Sequence, residues 1–363
     1  MEWEYKSLSD ICSNLDSQRV PITKNKRVSG SVPYYGASGV VDYVDGYIFN
    51  EELLLVSEDG ANLLARTYPI AFSVSGKTWV NNHAHVLRFS SSTTRRFVEY
   101  YLNSIPLSDF ISGMAQPKLN QRALNSIPIP TPDLQEQKRI VAILDQVFAD
   151  IEKARATAET NLKNARELFD SYLQQVFGQR GKGWKNKKWA EILEIKNGKN
   201  QRAVESSAGK YPIIGSAGKV MAYADDYICD EGTTIIGRKG TINNPIFIDT
   251  KFWNVDTAFG LQALDGLDKK FLYYFCLSYD FTQRDKGSGR PSLVKSDLLT
   301  MVMPVPDIDE QRRLVSEIER LNSLLAEVFS ICEKKLDCLD ELKKSILHKA
   351  FTGELTKSKG IAA

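Results

Sequence analysis

Apolar residues recur every three or four positions along two long stretches of the chain, with polar residues between them. The first series is Ile140, Leu144, Val147, Ile151, Ala154, Ala158, Ala165, Tyr172 and Val176. The second is Leu314, Ile318, Leu321, Leu325, Val328, Cys332, Leu339, Ile346 and Ala350, each 174 positions after its counterpart. Neither stretch contains Pro or Gly. A period near 3.5 residues that is sustained over about five heptads predicts two long helices forming a coiled coil.

The seam of this coiled coil is predicted at Ile140, Leu144, Val147, Ile151, Leu314, Ile318, Leu321 and Leu325. Each helix of about 44 residues would be about 66 Å long. An apolar stripe of that length would be exposed to water, so the two stripes are expected to cover each other. Because the chain leaves one helix, builds a second module and returns, we expect antiparallel pairing, with the modules at opposite ends of a rod.

The same short motif precedes each predicted helix. PTPDLQEQ at 130–137 is answered by PVPDIDEQ at 304–311. Asp133 and Asp307 stand at N-cap positions, and Glu136 and Glu310 complete a predicted capping box, in which cap and glutamate satisfy each other's backbone N–H groups. The first motif superficially resembles a PD-(D/E)xK nuclease. That chemistry needs carboxylates on adjacent strands around a metal, so we interpret the motif as a helix start.

The rest of the chain carries short strand signals punctuated by Gly and Asn. Strands are predicted at 47–49, 53–56, 70–74, 233–236 and 246–248, and short helices at 97–103 and 270–277. PYYGASG at 33–39 matches PIIGSAG at 212–218, and Trp79 matches Trp253. The sequence therefore predicts two related mixed modules, whose loops at 57–60 and 237–240 face outward.

These patterns predict a first module at 1–130, a helical spacer at 131–180, a second module at 181–303, a second helical spacer at 304–355 and a C-terminal tail at 356–363. The fold class is α/β (α+β). Two pseudo-two-fold-related modules are separated by two long helices that pair as an antiparallel coiled coil.

Composition and charge add only broad limits. The 363 residues are 42% hydrophobic and 25% charged, as in a folded globular protein. No segment approaches the roughly 18 apolar residues of a membrane span, and the N-terminal residues do not resemble a signal peptide, so we expect a cytoplasmic protein without a membrane partner. Five cysteines without CxxC spacing indicate reduced thiols. With a net charge of +2, any basic surface must come from local clustering.

Candidate catalytic residues are few. His83 and His85 alternate as on a strand and could bind a metal, but no third ligand is visible and NVDTA stands at 254–258 in the second copy, so a structural role is preferred. Asn244-Pro245-Ile246 lacks the Asn-Pro-Pro-aromatic pattern of adenine methyltransferases, and Gly36-Ala37-Ser38-Gly39 lacks GxGxxG spacing. We therefore expect no catalytic site, metal or cofactor in this chain.

Basic and amide side chains recur in equivalent loops of the two modules. These residue types read base edges and hold phosphates, although a solvated surface is the alternative for each of them. The DNA-binding residues predicted on this ground are Lys24, Lys26, Arg27, Gln116, Lys118, Asn120, Lys199, Asn200, Arg202, Arg238, Lys239, Arg290 and Lys295.

Two modules that each end in Pro-x-Pro-Asp-x-x-Glu-Gln and run into a heptad helix resemble the specificity subunit of type I restriction-modification systems. The resemblance rests on PIPTPDLQEQKRI (128–140), MPVPDIDEQRRL (303–314), the YGASG and IGSAG turns, GWKNKKWAEI (183–192) and KAFTGEL (349–355). These pieces span nearly the whole chain, and their repeated arrangement is more specific than any one of them.

The resemblance implies that each module is a target recognition domain for one half of a bipartite, asymmetric double-stranded DNA site. The paired helices would set the spacing and dock two modification (methyltransferase) subunits, through which restriction subunits join. The chain would be the non-catalytic subunit of a restriction endonuclease and adenine-specific methyltransferase complex. S-adenosylmethionine, ATP and Mg²⁺ would bind the partner subunits.

Two other classes of function stay open from the sequence. The chain could be an autonomous DNA methyltransferase or nuclease, or a coiled-coil scaffold that joins two protein-binding modules. The base sequence of either half-site does not follow from the chain alone.

Overall fold

The structure is a computed structural model that describes residues 3–113, 115–178 and 183–357. The chain divides into two compact units. Unit 1 comprises Met1–Thr157 and Lys334–Ala363, and unit 2 comprises Ala158–Glu333. Each unit therefore contains one strand-rich module together with part of both long helices.

The strands of unit 1 are β1 (Tyr5–Ser7), β2 (Ser13–Asn14), β3 (Ser29–Gly36), β4 (Gly39–Val44), β5 (Phe49–Asn50), β6 (Leu53–Ser57), β7 (Ala71–Val74), β8 (Lys77–Val80), β9 (Ala84–Arg88) and β10 (Pro128–Pro130). Its helices are α1 (Leu8–Ile11), α2 (Asn62–Ala65), α3 (Ser92–Ser104), α4 (Gln121–Asn125) and the first part of α5 (Leu134–Gly178).

The strands of unit 2 are β11 (Lys185–Lys188), β12 (Leu193–Asn197), β13 (Tyr211–Ile214), β14 (Val220–Ala224), β15 (Thr233–Gly237), β16 (Ile246–Ile248), β17 (Trp253–Asn254), β18 (Ala258–Ala263) and β19 (Val302–Val305). Its helices are the rest of α5, α6 (Trp189–Ile192), α7 (Lys269–Ser278), α8 (Lys295–Leu298) and the first part of α9 (Ile308–Phe351), which ends in unit 1.

The two units share one sheet plan. An antiparallel sheet has the order β2-β9-β6-β7 in unit 1 and β12-β18-β15-β16 in unit 2. A second, mixed sheet has the order β4-β3-β8-β5 in unit 1 and β14-β13-β17 in unit 2, with a parallel β3–β8 or β13–β17 pair. The pairs β1–β10 and β11–β19 close each module ahead of its long helix. The predicted duplication of mixed modules is confirmed.

Most predicted elements are present. Strands β6, β7, β15 and β16 and helix α7 lie where the sequence placed them, whereas α3 begins at Ser92, before the predicted start at 97. The prediction of a strand at 47–49 was wrong in extent, because β5 covers only Phe49–Asn50. Gly46 adopts a positive φ of 82°, and this turn delays the start of the strand.

Each module packs on a long helix through equivalent aromatic contacts. In unit 1 the ring of Phe351, at the end of α9, lies 5.3 Å from Phe97 and 5.1 Å from Tyr101 of α3. In unit 2 Phe177, at the end of α5, lies 5.1 Å from Phe271 and 5.6 Å from Phe275 of α7. Edge-on and tilted aromatic pairs add to the hydrophobic burial of such cores.

Within each unit the two long helices run antiparallel, as predicted. In unit 1 Ile140 and Leu144 near the start of α5 share a core with Leu347 and Ala350 near the end of α9. In unit 2 Leu173 and Phe177 of α5 share a core with Leu314 and Ile318 of α9. Apolar seams of this kind supply most of the stability of amphipathic helices.

The predicted seam residues lie on the covered faces of the helices. Ile140, Leu144, Ile151, Leu314, Ile318 and Leu325 are buried, and Val147 and Leu321 are half-buried. Val328 was assigned wrongly, because its side chain is 37% exposed and the next residue, Phe329, faces Arg166 with 5.6 Å between guanidinium and ring. An apolar residue at the repeating position is therefore not always covered, since apolar atoms contribute much of the surface of any folded protein.

The helix starts confirm the predicted N-caps. Asp133 Oδ1 accepts the N–H of Glu136 at 2.8 Å, and Asp307 Oδ1 accepts the N–H of Glu310 at 2.9 Å. The reciprocal half of the capping box was wrong. The Glu310 carboxylate accepts from Arg313 at 2.7 Å instead, because an arginine one turn away offers a charge-assisted bond.

A buried glutamine one residue after each of these glutamates joins helix to module. Gln137 accepts the hydroxyl of Thr94 in α3 at 2.9 Å, and Gln311 accepts the N–H of Asp268, the N-cap of α7, at 2.7 Å. Each also donates to the backbone carbonyl five residues before it at 2.9 Å.

Among the described residues, no helix combines the length and the apolarity needed to cross a bilayer.

The substitution Gln311→Leu should lower the free energy of unfolding of unit 2 by about 2–3 kcal/mol, because the N–H of Asp268 and the carbonyls of Gly266 and Pro306 lose their partner in a buried place. Urea denaturation followed by tryptophan fluorescence measures this, since three of the five tryptophans lie in unit 2. The exposed neighbour Arg312→Leu is the control. Equal stability of both variants would contradict the role of Gln311.

Candidate nucleic-acid interface

A tryptophan anchors the first predicted DNA-binding loop of each module. Trp79 Nε1 donates to the carbonyl of Val20 at 2.7 Å, and Trp253 Nε1 donates to the carbonyl of Lys199 at 3.1 Å. The loop that follows Val20 contains a 3₁₀ turn over Lys24–Lys26, and its two lysines are exposed. The hydrogen bond from the tryptophan to the loop therefore recurs in both modules, although the loop sequences differ.

The other predicted residues of these loops divide into exposed and internally held side chains. Lys199, Asn200 and Arg202 are exposed, and Asn200 also accepts the N–H of Arg202 at 3.0 Å. Arg27 is held within unit 1, because its guanidinium donates to Asp42 at 2.9 Å and lies 4.3 Å from the ring of Tyr34. The hydrogen bond from Arg27 lowers the pKa of Asp42. Contact of Arg27 with DNA stays a prediction.

Two further predicted loops lie together in each module through equivalent backbone bonds. In unit 1 Gly60 N–H donates to Pro117 O at 3.0 Å and Leu119 N–H donates to Glu58 O at 2.8 Å. In unit 2 Gly240 N–H donates to Pro291 O at 2.8 Å and Leu293 N–H donates to Arg238 O at 2.9 Å. The loop after β6 or β15 and the segment before α4 or α8 therefore form one composite surface, the paired loops.

In unit 1 the predicted side chains of the paired loops have different surroundings. Gln116 is exposed. Lys118 is 51% exposed and lies 3.2 Å from the carboxylate of Glu58, whose side chain is only 12% exposed. Asn120 caps α4 by accepting the N–H of Ala123 at 2.9 Å. The expectation that the loop at 57–60 faces outward is thus wrong for Glu58, because its carboxylate is satisfied by cations inside the unit.

In unit 2 the paired loops carry three cations near the surface. Lys239 and Arg290 are exposed, and Arg238 is half-buried with its guanidinium 5.7 Å from the ring of Phe259. Lys295 instead donates to the carbonyl of Ile195 at 2.7 Å and is half-buried. Of the four predicted residues here, three therefore present positive charge in one place and Lys295 serves the fold.

The histidines, considered as metal ligands from the sequence, take part in ion pairs. His85 is 1% exposed, with Nδ1 2.5 Å from Asp16 and Nε2 2.7 Å from the carbonyl of Leu119. A carbonyl can only accept, so Nε2 carries a proton, and Nδ1 donates to the carboxylate. His83, which is 49% exposed, pairs with Asp59 at 2.8 Å.

Asp16, Glu58 and His85 bring their oxygen and nitrogen atoms within 4.8 Å of one another, close enough for a metal site. The guanidinium of Arg19 fills part of this cluster, 2.7 Å from Glu58 and 3.6 Å from Asp16. Two carboxylates face an imidazolium and a guanidinium, so the cluster is balanced without an ion. These residues do not fit a bound cation, and the structural interpretation of His85 is the one that the geometry supports.

The cluster changes the pKa values of its acids. Burial alone would raise the pKa of Asp16, but His85, the N–H of Val86 and Arg19 lower it below its ordinary value of 3.8. Burial likewise opposes the effect on Glu58, whose pKa is lowered by Arg19, His85 and Lys118. Both acids are therefore ionised partners that hold β9 and the paired loops together.

Sequence reasoning missed Asp16, Arg19, Glu58 and Asp59. The available signal was the comparison of the two copies, because SEDG at 57–60 stands against GRKG at 237–240. The backbone bonds show that Glu58 is structurally equivalent to Arg238, and Asp59 to Lys239. The charge of this loop is inverted between the modules.

Comparison with known proteins identifies the class. The family model of the type I restriction modification DNA specificity domain matches residues 1–160 and 181–328, and the chain belongs to this family. It is a specificity subunit of a type I restriction-modification system, which is what the sequence motifs predicted. Members of this family are in general non-catalytic and recognise DNA.

Relatives match along most of the chain. A Haemophilus influenzae protein named "Putative type I restriction enzyme specificity subunit S.HindORF215P" is 29% identical, covering 89% of this chain and 88% of the relative. The MjaVIII specificity subunit of Methanocaldococcus jannaschii is 22% identical, covering 98% of this chain and 93% of the relative.

Solved structures show the same fold. A chain from a study of complex assembly and conformational transition of the type I R-M system matches with a TM-score of 0.77 at 18% identity, covering 98% of both chains. The HsdS subunit from Thermoanaerobacter tengcongensis matches with a TM-score of 0.58 at 18% identity, covering 97% of both chains.

The substitution His85→Phe should destabilise unit 1 by about 3 kcal/mol at neutral pH, because the buried Asp16 carboxylate loses its imidazole partner and the Leu119 carbonyl loses its donor from Nε2. Urea denaturation measures the loss. The exposed His83→Phe is the matched control and should change stability by less than about 0.5 kcal/mol. Equal effects of the two substitutions would contradict the structural role of His85.

The pH dependence gives a second readout of the same variant. The folded pKa values of Asp16 and Glu58 lie below their unfolded values, so their stabilisation is complete above about pH 4.5 and is lost as the pH falls through the folded values. His85→Phe should therefore flatten the acid limb of the stability curve, because the partner that lowers these pKa values is gone.

Proposed function

We propose that each module of this specificity subunit reads one half of a bipartite, asymmetric double-stranded DNA site. The observation that carries the proposal is the duplication itself: one sheet plan and one set of loop-anchoring bonds hold loops of different sequence. Readers of one shared half-site would need the same side chains at equivalent positions. The inverted charge after β6 and β15 argues for unlike half-sites.

The exposed cations and amides of the loops are the proposed DNA contacts. Lys24, Lys26, Gln116, Lys199, Asn200, Arg202, Lys239 and Arg290 are exposed, as phosphate and base contacts need to be. Arg27, Lys118, Asn120, Arg238 and Lys295 have partners inside their units and would contact DNA only in addition to those roles. Strong salt dependence of binding would distinguish DNA recognition from a protein-binding scaffold.

We propose that α5 and α9 set the separation of the half-sites. Each helix is continuous over at least 44 residues, and within both units the helices pair antiparallel. A packed pair of helices resists bending, so its length fixes a distance between readers, as half-site spacing is fixed in other DNA-binding proteins.

The helices also offer equivalent apolar side chains to a partner. Leu168 of α5 is 54% exposed and Leu342 of α9 is 45% exposed, and the two stand 174 positions apart, at the same place in the repeat. An apolar residue exposed at the same place in both copies suits two molecules of one partner. We propose that two methyltransferase subunits dock here and that restriction subunits join through them.

Catalysis is proposed to belong to those partners, an adenine-specific methyltransferase and a restriction endonuclease. In the described residues the acid and histidine cluster of unit 1 is balanced by its own cations, which makes it unsuited to Mg²⁺. We assign S-adenosylmethionine, ATP and Mg²⁺ to the partner subunits. Because the proposed substrate is DNA, we also propose that the protein is cytoplasmic.

Methylome sequencing of a host that expresses this subunit with its methyltransferase should return two unlike half-sites separated by a nonspecific spacer. One extra heptad in each helix, after Thr157 and after Glu333, should lengthen that spacer by about three base pairs, because seven residues add about 10 Å and base pairs repeat every ~3.4 Å. The half-sites should stay unchanged.

A heptad added to α5 alone is the control, and it should abolish site-specific methylation because the pairing register is lost. A palindromic or undivided motif would contradict the two-reader proposal. Changed half-sites after the double insertion would contradict the proposal that α5 and α9 set only the separation of the half-sites.

The double substitution Leu168→Glu with Leu342→Glu should prevent co-purification of the methyltransferase, because a carboxylate cannot be buried unpaired in an apolar interface. Each single substitution should leave about half of the bound methyltransferase. Leu64→Glu, at a 54% exposed position of α2, is the control and should leave the complex intact. A normal complex with the double variant would place the docking surface elsewhere.

A further inference from the structure

The paired loops of the two modules hold opposite charge in one backbone frame. Glu58 N–H donates to His83 O at 2.9 Å, and Arg238 N–H donates to Thr257 O at 2.8 Å. The bonds from Gly60 and Gly240 to the facing prolines repeat this equivalence at the other end of the loop. Asp59 in unit 1 and Lys239 in unit 2 therefore occupy the same structural position.

The unit 1 loop presents a carboxylate–imidazole pair at the surface. Glu58 is occupied by Arg19 and Lys118, which leaves Asp59 as the loop's outward acid. Asp59 is 18% exposed and accepts from Nδ1 of His83, which is 49% exposed. A carboxylate that retains free lone pairs is an acceptor for an amino group.

The unit 2 loop presents donors at that position. Within the part of the chain that the structure describes, the ammonium of Lys239 has no hydrogen-bond or ion-pair partner, and its side chain is exposed. The guanidinium of Arg290 lies against Gly240, where a Cβ would stand 2.8 Å from Nη2. Gly240 has a φ of 85°, so a side chain there would be strained as well as obstructed. The two cations thus share one small surface.

Base edges in the major groove discriminate between these two chemistries. Cytosine offers its N4 amino donor, whereas guanine offers the O6 and N7 acceptors that arginine and lysine bind. Adenine offers an amino donor beside the N7 acceptor, which repels a carboxylate and suits an amide. A carboxylate and a pair of cations at equivalent positions therefore select opposite members of a G·C pair.

We infer that the loops after β6 and β15 determine specificity, with Asp59 accepting the N4 amino group of a cytosine in one half-site and Lys239 with Arg290 donating to a guanine in the other. This inference rests on the proposed function, because it assigns base chemistry to the two readers proposed there. The same fold position reads opposite edges in the two modules because its side chain is a hydrogen-bond acceptor in one module and a donor in the other.

The first test compares methylomes of the complete methyltransferase complex that contains wild-type subunit, Asp59→Asn or Lys239→Gln. Asp59→Asn should relax one G·C position of one half-site by about tenfold to a hundredfold in favour of A·T, because an amide pairs with adenine. Lys239→Gln should relax a G·C position in the other half-site only. Asp109→Asn and Lys185→Gln, at exposed positions, are the controls.

The second test uses duplexes in which 7-deazaguanine removes the N7 acceptor while keeping base pairing. This replacement in the half-site governed by Lys239 should weaken wild-type binding by about tenfold and should weaken Lys239→Gln much less, because the lysine contact is already missing there and only Arg290 remains as a donor. In the half-site governed by Asp59 it should have no effect. Melting temperatures equal to wild type exclude misfolding as a cause in either variant.

The outcomes separate the two levels of the proposal. Bipartite methylation that neither substitution alters, or relaxation of the same half-site by both, would overturn the inference and leave the two-reader function standing. Failure of the wild-type complex to methylate a bipartite site would overturn the proposed function itself. A 7-deazaguanine effect in the Asp59 half-site would overturn the assignment of cytosine.

Discussion

Two buried glutamines make the rest of the architecture possible. A long helix can fix the position of its module only if the junction between helix and module is rigid. Gln137 bonds α5 to α3 through Thr94, and Gln311 bonds α9 to the cap of α7 through Asp268. Because these bonds are buried, breaking them would leave unpaired polar groups, and the junction is stiff for that reason.

The two modules show how the same backbone arrangement accommodates a negatively charged loop in unit 1 and a positively charged loop in unit 2. In unit 1 the position of β9 that faces the paired loops is His85, whose charge balances Asp16 and Glu58. In unit 2 the equivalent residues are Phe259 and Arg238, where an aromatic face takes the guanidinium instead. The residues beneath the loop changed together with the loop, because a buried charge left without its partner would be costly.

The sequence predicted the elements whose signal is long and repeated. The helices, their starts and the two-module plan follow from a 174-residue offset and a sustained heptad period. Val328 was misplaced because an apolar residue with the right spacing need not be covered, and its side chain is 37% exposed. The ion pairs of the site could not be found in this way, because Glu58 meets Arg19 and Lys118 across 39 and 60 positions of sequence, and only the fold determines such contacts.

A single duplicated chain solves a problem that a symmetric dimer cannot. In a homodimer each interface residue and each reading loop is present twice, so the two half-sites must be the same. Two copies in one chain keep the pairing of the helices, because the seam positions of one copy pack against those of the other. The arrangement also allows the charge of a loop to change in one module while the equivalent loop of the other module is unchanged. The charge inversion between Asp59 and Lys239 is a divergence that two identical subunits could not have acquired.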